Sequence, residues 1–182
     1  GDHIANTVRC TVNVALCRED EFRITPAEHP RRVAVVGGGP AGMEAARVCA
    51  LKGHDVTLYE KRELGGALLE ASIPDFKAPD LKPLIAYLKT QMEKLPIKVV
   101  AQEASVAELT SGTYDAVIVA TGATALGLEE IPGITDPKVA TASQVLHGEV
   151  SLGDRVVVIG GGIVGTEVGL MVAEAGKRVT FI

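Results

Sequence analysis

Short apolar runs rich in β-branched residues alternate with helical patterns along most of this 182-residue chain. Residues 33–36 form a run typical of a buried parallel strand, and three glycines follow it. Pro40 suits a first helical position because it has no N–H to lose, and good helix formers continue to Lys52, with Gly53 as the C-cap. A second strand is predicted over 55–59. Strand, glycine turn, helix and strand make up a βαβ unit.

The pattern continues after a loop and a proline-containing stretch. Apolar residues at helical spacing predict an amphipathic helix over about 80–94, and two further strands are predicted over 97–101 and 114–120. Because 116–120 is uninterruptedly apolar, we expect that strand to be buried on both faces. Residues 1–31 show no sustained period and predict an extended linker with one short helical turn.

The second part of the chain repeats the first. Residues 155–182 follow residues 32–59 position by position, so that Gly165 lies on Gly42 and Gly176 on Gly53. The repeat predicts a second βαβ unit and not a short-period solenoid.

Composition and charge exclude several function classes. The chain has 23 acidic against 18 basic residues and only 3% aromatic residues. We therefore do not expect nucleic-acid binding, which relies on clustered basic residues and on aromatic side chains that stack on bases. It lacks an apolar run of about 20 residues and a secretory leader, which favours a cytoplasmic location without membrane contact. Three cysteines are too few for a disulfide framework, so free thiols or a metal role are the better interpretations.

The first glycine turn has the pattern Gly37-x-Gly39-x-x-Gly42. In such a turn the first glycine permits the tight bend, the second lets the backbone approach a pyrophosphate, and the third lets helix meet strand. The helix N-terminus supplies N–H groups and the positive end of its dipole. The turn therefore predicts a dinucleotide site.

Glu60 ends the second predicted strand, at the distance of about 20 residues from the turn where a carboxylate binds ribose hydroxyls. The alternative is a solvated strand-end carboxylate beside two basic residues. The strand–turn–helix context favours ribose binding.

The second glycine turn predicts a second nucleotide site. Its residue equivalent to Glu60 would follow Ile182, so the choice between NADH and NADPH stays open. The candidate contacts are Gly160, Gly162, Ile163, Val164 and Gly165.

In order along the chain, residues 37–42, Glu60, 63–66, 115–122 and the second glycine turn resemble the two-dinucleotide-binding-domain flavoprotein reductases. The resemblance covers residues 31–182. It implies an α/β, Rossmann-like fold, incomplete here, with helices flanking a parallel sheet. FAD would occupy the first unit, and NADH or NADPH would occupy the second. The loop Leu64-Gly65-Gly66 would pass near the flavin, and Ala120-Thr121-Gly122 would mark the crossover between the two domains. The cofactor contacts that it implies in the first unit are Gly37, Gly39, Pro40, Ala41, Gly42, Glu60, Lys61, Leu64, Gly65, Gly66, Thr121 and Gly122.

Cys10 and Asn13 resemble the segment that follows the iron–sulfur cysteines of multidomain NADH:flavin oxidoreductases. These are old-yellow-enzyme relatives such as 2-enoate reductase, 2,4-dienoyl-CoA reductase and trimethylamine dehydrogenase. The resemblance implies Cys10 as the last ligand of a [4Fe–4S] cluster, with the other ligands and an FMN-carrying barrel before Gly1. Val14 stands where the family usually has proline. The alternative is an incidental linker thiol.

These resemblances imply four segments: a linker at 1–31, an FAD-binding domain at 32–130 without its closing part, a connection at 131–153, and the start of an NAD(P)H-binding domain at 154–182. In the parent enzyme, hydride would pass from NAD(P)H to FAD, and electrons would continue through the cluster to FMN, where an enoate or enoyl thioester is reduced. No catalytic residue is assigned to this chain.

Two alternatives remain at this point. One is a structural module that binds ADP without hydride transfer; the glycine loop after Glu60 favours full FAD over it. The other is a relative of the glutamate-synthase small subunit, against which Cys10 argues. We also expect the chain alone to bind the adenine half of FAD best, to leave NAD(P)H unoxidised, and to self-associate through an exposed strand at 179–182.

Overall fold

A computed structural model describes residue 10 and the ranges 12–124 and 131–182. The chain forms two compact units. The first comprises the chain up to Gly65 together with Ala86–Thr121, and the second comprises Gly66–Ile85 and Gly122–Ile182. The elements in chain order are β1 (Arg32–Val36), α1 (Pro40–Leu51), β2 (Asp55–Tyr59), α2 (Ala67–Ala71), α3 (Ala78–Lys94), β3 (Ile97–Val100), α4 (Val106–Thr110), β4 (Ala116–Val119), α5 (Ala142–Leu146), β5 (Arg155–Val158), α6 (Ile163–Glu174) and β6 (Arg178–Phe181).

The first unit is built on a parallel sheet with the strand order β3-β2-β1-β4. The central strands β1 and β2 are buried because neighbouring strands flank them and α1 packs on them. The largest fully buried side chains are Met43 of α1 and Val35, Val56 and Leu58 of these strands. The predicted βαβ unit and the parallel sheet with flanking helices are confirmed.

The expectation that the strand at 116–120 is buried on both faces is wrong. Val117 is 39% exposed and Val119 is 73% exposed. The strand β4 lies at the edge of the sheet, where it pairs with β1. Ala116 and Ile118 lie on the other face and are half-buried. The apolar run indicates cover on both faces, whereas the packing of the described residues covers only one.

The helix expected over about 80–94 is confirmed as α3, and it begins two residues earlier, at Ala78. Pro79 stands in its first turn, where a missing N–H costs nothing. The predicted apolar face is buried at Leu84, Ile85, Leu88 and Met92.

Three five-residue helices, α2, α4 and α5, were not predicted, since five residues are too few to show a helical period. Two of them carry N-caps: Ser105 accepts from the Glu108 N–H, and Thr141 forms a capping box with Gln144. In the described part of the linker the chain turns at 14–17 and at 19–22. The Phe22 N–H donates to the carbonyl of Arg18, which closes the one short helical turn that the sequence predicted.

A hydrogen-bonded cluster attaches α4 to the sheet of the first unit. The Tyr59 hydroxyl donates to Glu108 Oε1 at 2.9 Å and lies 2.7 Å from the Tyr114 hydroxyl. Burial, reinforced by these hydrogen bonds, raises the pKa of Tyr59 far above its usual value. The cluster gives the buried Tyr59 hydroxyl its hydrogen-bond partners and orients the end of β2.

In the second unit β5 pairs with β6 in parallel, and α6 buries Val168 and Val172. Both helices that follow a glycine turn, α1 and α6, are 12 residues long. A glycine with positive φ ends each of them, Gly53 at +87° and Gly176 at +83°. The sequence repeat is therefore a structural repeat. None of the helices in the described part of the chain is long and apolar enough to cross a membrane.

Arg32 and Asp115 connect the beginnings of β1 and β4. Asp115 Oδ1 accepts from Arg32 Nη2 at 2.8 Å, and Oδ2 accepts from the backbone N–H of Arg32 at 2.8 Å. The guanidinium and this N–H together lower the pKa of Asp115 to about 2.

We expect Asp115→Asn to reduce the acid sensitivity of the first unit. An aspartate in an unfolded chain has a pKa of about 3.9, so the pair stabilises the fold above that pH and loses its effect as the pH falls from about 4 towards 2. The chain has no tryptophan, and all three tyrosines lie in the first unit, so tyrosine fluorescence reports its unfolding midpoint. Between pH 5 and 2 the midpoint should fall less steeply for the variant than for the wild type. The exposed Asp75 supplies the control, Asp75→Asn, which should keep the wild-type slope.

Candidate functional site

The first glycine turn connects β1 to α1, and two of its glycines are required by close contacts. Gly37 has φ +107°, and a Cβ there would lie 2.3 Å from the carbonyl oxygen of Ala120. A Cβ on Gly42 would lie 1.8 Å from the carbonyl oxygen of Gly37. These distances are far below any tolerable contact, so the turn cannot carry side chains at either position.

The N-terminus of α1 is free to receive an acceptor. Gly39 is the N-cap, in extended backbone that any residue can adopt, and Pro40 follows. Among the residues that the structure describes, no side chain caps this helix, whereas α4 and α5 are capped by Ser105 and Thr141. The first turn after Pro40, which includes the exposed Ala41, can therefore offer its N–H groups to a phosphate.

Glu60 lies directly against this turn. Its Oε2 accepts a hydrogen bond from the Gly38 N–H at 2.6 Å, and its Oε1 accepts from the Arg62 N–H at 2.8 Å. The Glu60 N–H donates to the carbonyl of Val100, which holds the residue in line with the sheet. The carboxylate is thus ordered at the carboxyl end of β2 and retains free lone pairs on both oxygens.

The loop after Glu60 folds back onto the glycine turn. The Gly65 N–H donates to the carbonyl of Gly38 at 2.9 Å, and the Leu64 side chain packs over Gly38. Gly65 and Gly66 both have positive φ, +133° and +53°, which explains the two consecutive glycines. The structure thus brings the loop and the turn together.

Two ion pairs connect residues 61–63 of the same loop to the rest of the first unit. Lys61 Nζ donates to Glu103 at 2.9 Å, and Lys89 Nζ of α3 donates to Glu63 at 2.5 Å. The ammonium of Lys61, expected to contact the cofactor, is therefore occupied by a carboxylate in this structure. Both pairs are partly exposed, so each stabilises the loop only modestly.

Thr121 and Gly122 follow β4, and both are exposed. Gly122 has φ +77°, a backbone conformation that glycine adopts without strain. In the first unit, the Ala120 carbonyl and the Thr121 backbone N line the space beside Gly37.

The second glycine turn, within the second unit, has the same conformation as the first. Gly160 has φ +102°, Gly162 is the N-cap of α6 in extended backbone, and a Cβ on Gly165 would lie 2.1 Å from the carbonyl oxygen of Gly160. No side chain of the described residues caps α6. Ile163 and Val164 begin the helix and are exposed. The turn thus presents helix N–H groups as the first one does.

Other polar contacts join segments within the second unit. Lys77 Nζ donates to both carboxylate oxygens of Glu167 on α6, each at 2.8 Å. Glu70 of α2 accepts from the Ser143 hydroxyl at 2.7 Å and lies 3.3 Å from His147 Nε2. These contacts attach the segment 66–85 to α5 and α6.

Sequence reasoning missed three features of the first site. These are the N–H groups of Gly38 and Arg62, and the support that Lys89 gives to the loop. Backbone donors carry no sequence signal, and the sequence does not specify which carboxylate a lysine on an amphipathic helix pairs with.

Cys10, the expected metal ligand, is a free and partly exposed thiol. Hydrogen bonds from the backbone N–H groups of Asn13 and Val12 lower its pKa. Within the described residues, no group of three or more His, Cys, Asp and Glu is placed to hold a metal ion. A [4Fe–4S] cluster needs about four thiolates and the chain has three cysteines, so its residues alone do not fit that cluster.

The family follows from a comparison with known proteins. The profile of the family described as pyridine nucleotide-disulphide oxidoreductase matches residues 31–182. The chain belongs to this family. The match includes both glycine turns, so the resemblance noted from the sequence is confirmed at the level of the family.

Two curated relatives match nearly the whole chain. Cinnamate reductase of Clostridium sporogenes is 41% identical over 180 residues, which cover 97% of this chain and 26% of that protein. Bilirubin reductase of Mediterraneibacter gnavus is 40% identical over 175 residues, which cover 95% of this chain and 27% of that protein. The chain therefore spans about a quarter of the length of these two relatives.

A solved structure supports the fold. The complex of 2-naphthoyl-CoA reductase with 2-naphthoyl-CoA is 37% identical and aligns with a TM-score of 0.85, covering 95% of this chain and 26% of that one. The Rossmann-like α/β fold expected from the sequence is thereby confirmed for this member of the pyridine nucleotide-disulphide oxidoreductase family.

Proposed function

We propose that the first unit binds FAD and that the second binds NADH or NADPH, as parts of a flavin-dependent oxidoreductase. The observation that carries this proposal is the position of the Glu60 carboxylate. Its Oε2 accepts from the backbone nitrogen of Gly38 at 2.6 Å, next to the N-terminus of α1, which no side chain caps. A carboxylate for ribose hydroxyls and free helix N–H groups for a pyrophosphate are what an adenine dinucleotide requires.

In the first unit, Gly39, Pro40 and Ala41 would form the phosphate cradle, and Glu60 would accept hydrogen bonds from the ribose. The loop residues Leu64 and Gly65 would lie along the flavin side, as the resemblance to the flavoprotein reductases suggests. Gly37 lets the turn pack against the carbonyl of Ala120, and Gly42 lets α1 approach the carbonyl of Gly37, so the two glycines set the shape of the turn. Lys61 and Thr121 remain candidate contacts in the first unit, and the cofactor contacts expected for Gly66 and Gly122, which belong to the second unit, stay predictions.

In the second unit, the turn from Gly160 to Gly165 would hold NADH or NADPH. Its free helix N-terminus fits a pyrophosphate in the same way. The segments 32–130 and 154–182 would then belong to an FAD-binding and an NAD(P)H-binding domain, joined by 131–153.

FAD, when bound, would supply a hydride acceptor for NAD(P)H. In the whole protein we propose that a [4Fe–4S] cluster, with its other ligands outside this chain, and an FMN would supply the redox chemistry for an enoate, an enoyl thioester or a related acceptor. The residues of this chain bind and orient the nucleotides. Cys10 is the residue that the chain would contribute to the cluster. The reductases among its relatives favour this function over a structural ADP module.

Calorimetric titration of the 182-residue chain tests the first site. We expect FAD and ADP to bind, and FMN, which lacks the adenosine, neither to bind nor to compete. FAD should bind more tightly than ADP if the glycine loop contacts the flavin side, and equal affinities would favour the ADP module. A chain that is folded by circular dichroism and binds neither FAD nor ADP would contradict the proposal.

Self-association stays a prediction. Phe181 and Ile182 at the end of β6 are exposed, and sedimentation velocity of the chain would detect a dimer.

A further inference from the structure

An open groove lies at the beginnings of β5 and β6 in the second unit. Its volume is about 640 Å³, and it is lined by Asp154, Arg155, Gly176, Lys177 and Arg178. The glycine turn of this unit follows the other end of β5, roughly 10 Å away at about 3.3 Å per strand residue. The groove is therefore separate from the nucleotide site proposed for the second unit.

Two arginines of this groove stand opposite each other. Arg155 and Arg178 are register partners, and each is the first residue of its strand. Register partners on neighbouring strands carry their side chains on the same face of the sheet, and like charges opposite each other are destabilising. Both residues are exposed, so the packing of the second unit does not require either charge.

Lys177 adds a third cation beside them. It is half-buried, and its Nζ donates to the carbonyl of Leu152 at 2.8 Å, which leaves two of its three protons for other acceptors. Asp154 is the one carboxylate among the lining residues. Among the residues that the structure describes, no carboxylate forms an ion pair with any of the three cations. The groove therefore carries an excess of positive charge.

The first unit shows that the fold does not need this charge. Arg155 occupies the place of Arg32 in the structural repeat, and Arg178 occupies the place of Asp55. In both units the N–H at the second of these places donates to the carbonyl of the residue before the first strand, at 2.9 and 2.8 Å. In the first unit, however, the arginine stands opposite a carboxylate and forms an ion pair with Asp115. With the same backbone contact, the described part of the second unit has two cations where the first has a neutralised one.

We propose that this groove binds an oxyanion of the phosphate class with two or more negative charges. The guanidinium groups of Arg155 and Arg178 present paired N–H donors that match phosphate oxygens, and the Lys177 ammonium adds a point charge. A bound dianion would neutralise the excess charge and relieve the repulsion between the arginines. The proposal does not depend on the function proposed for either glycine turn.

The placement of the cations favours a compact anion over an acidic peptide. Positions 155 and 178 are neighbours across the two strands, and position 177 is next in the chain, so three charges converge on one place. The carboxylates of an extended peptide are spread along the chain at about 3.3 Å or more per residue. A phosphate group offers its charges and acceptors from a single atom centre.

An NMR titration of the ¹⁵N-labelled chain with inorganic pyrophosphate tests the site, because it reports each backbone amide separately. At low ionic strength we expect saturable shifts at residues 154–155 and 176–178, with a Kd of about 1 mM or lower. Added salt should weaken this binding through screening. Shifts confined to the glycine turns, or the absence of saturable shifts at the groove, would overturn the proposal.

Arg178→Asp gives the second unit the charge pair of the first. Because Asp55 occupies the equivalent place in a folded unit, we expect the variant to fold and to bind pyrophosphate at the groove at least about 10-fold more weakly. The matched control is Lys138→Asp, which makes the same change in net charge at an exposed residue of the second unit outside the groove. It should keep the Kd within about 2-fold of wild type.

Equal weakening in both variants, or wild-type affinity in Arg178→Asp, would overturn the site. If the amide spectrum shows that Arg178→Asp unfolds the second unit, Arg155→Gln removes one charge at nearly constant size. It should weaken pyrophosphate binding at least about 5-fold, and wild-type affinity in this variant would contradict the proposal equally.

Two further ligands identify the source of the anion. Groove amides that respond to ADP and to pyrophosphate with similar Kd support a site for the phosphates alone, whereas a tighter response to ADP supports a site for the phosphates of a nucleotide. A hexaglutamate peptide that binds at the groove more tightly than pyrophosphate would overturn the oxyanion ligand and indicate an acidic protein segment instead.

Discussion

Gly39→Val should abolish the binding of FAD and ADP by the first unit, a loss of more than about 100-fold, while the unit stays folded. The backbone of Gly39 is extended, with φ −74° and ψ −178°, so valine can adopt it without strain. Its two methyl groups would stand at the uncapped N-terminus of α1, in the place that a pyrophosphate needs. Calorimetry with FAD measures the loss, and tyrosine fluorescence checks the fold.

Gly162→Val is the matched control for this experiment. Gly162 is the N-cap of α6 with nearly the same backbone, φ −73° and ψ 179°. The change should leave the affinity for FAD at the wild-type value, because Gly162 belongs to the second unit. Wild-type affinity for FAD in Gly39→Val would show that the phosphates do not approach this turn.

Glu60→Ala should weaken ADP binding by about 1.5–3 kcal/mol, the range for a hydrogen bond to a charged group, which corresponds to about 10- to 100-fold in Kd. The carboxylate is held by the N–H groups of Gly38 and Arg62, so its orientation costs little on binding. The measurement is the Kd for ADP by calorimetry.

The exposed Glu93 of α3 provides the control for charge, since Glu93→Ala removes a carboxylate from the same unit. It should leave the Kd within about 2-fold of wild type, because surface charges at a distance are screened by salt. An unchanged Kd in Glu60→Ala would support the alternative that Glu60 is a solvated strand-end carboxylate.

Much of the first site could be predicted because its determinants are local. The bend at Gly37, the close approach at Gly42 and the helix that starts at Pro40 depend on residues within one turn of each other. The same local rules apply again at Gly160 and Gly165, so the repeat in the sequence became a repeat in the structure. The roles of these residues in binding stay predictions until a nucleotide is titrated.

The sequence by itself determined the βαβ units, their glycine turns and the resemblance to the flavoprotein reductases, since hydrophobic period and turn chemistry act between near neighbours. The tertiary structure alone decided contacts between residues far apart in the chain. It gave Glu60 its partner Gly38, paired Lys89 with Glu63 and Arg32 with Asp115, and left Val119 exposed at a sheet edge. The physical reason is that a carboxylate, an ammonium or an apolar strand face has many equally suitable partners in a sequence, and only the packing of the sheet and helices selects one.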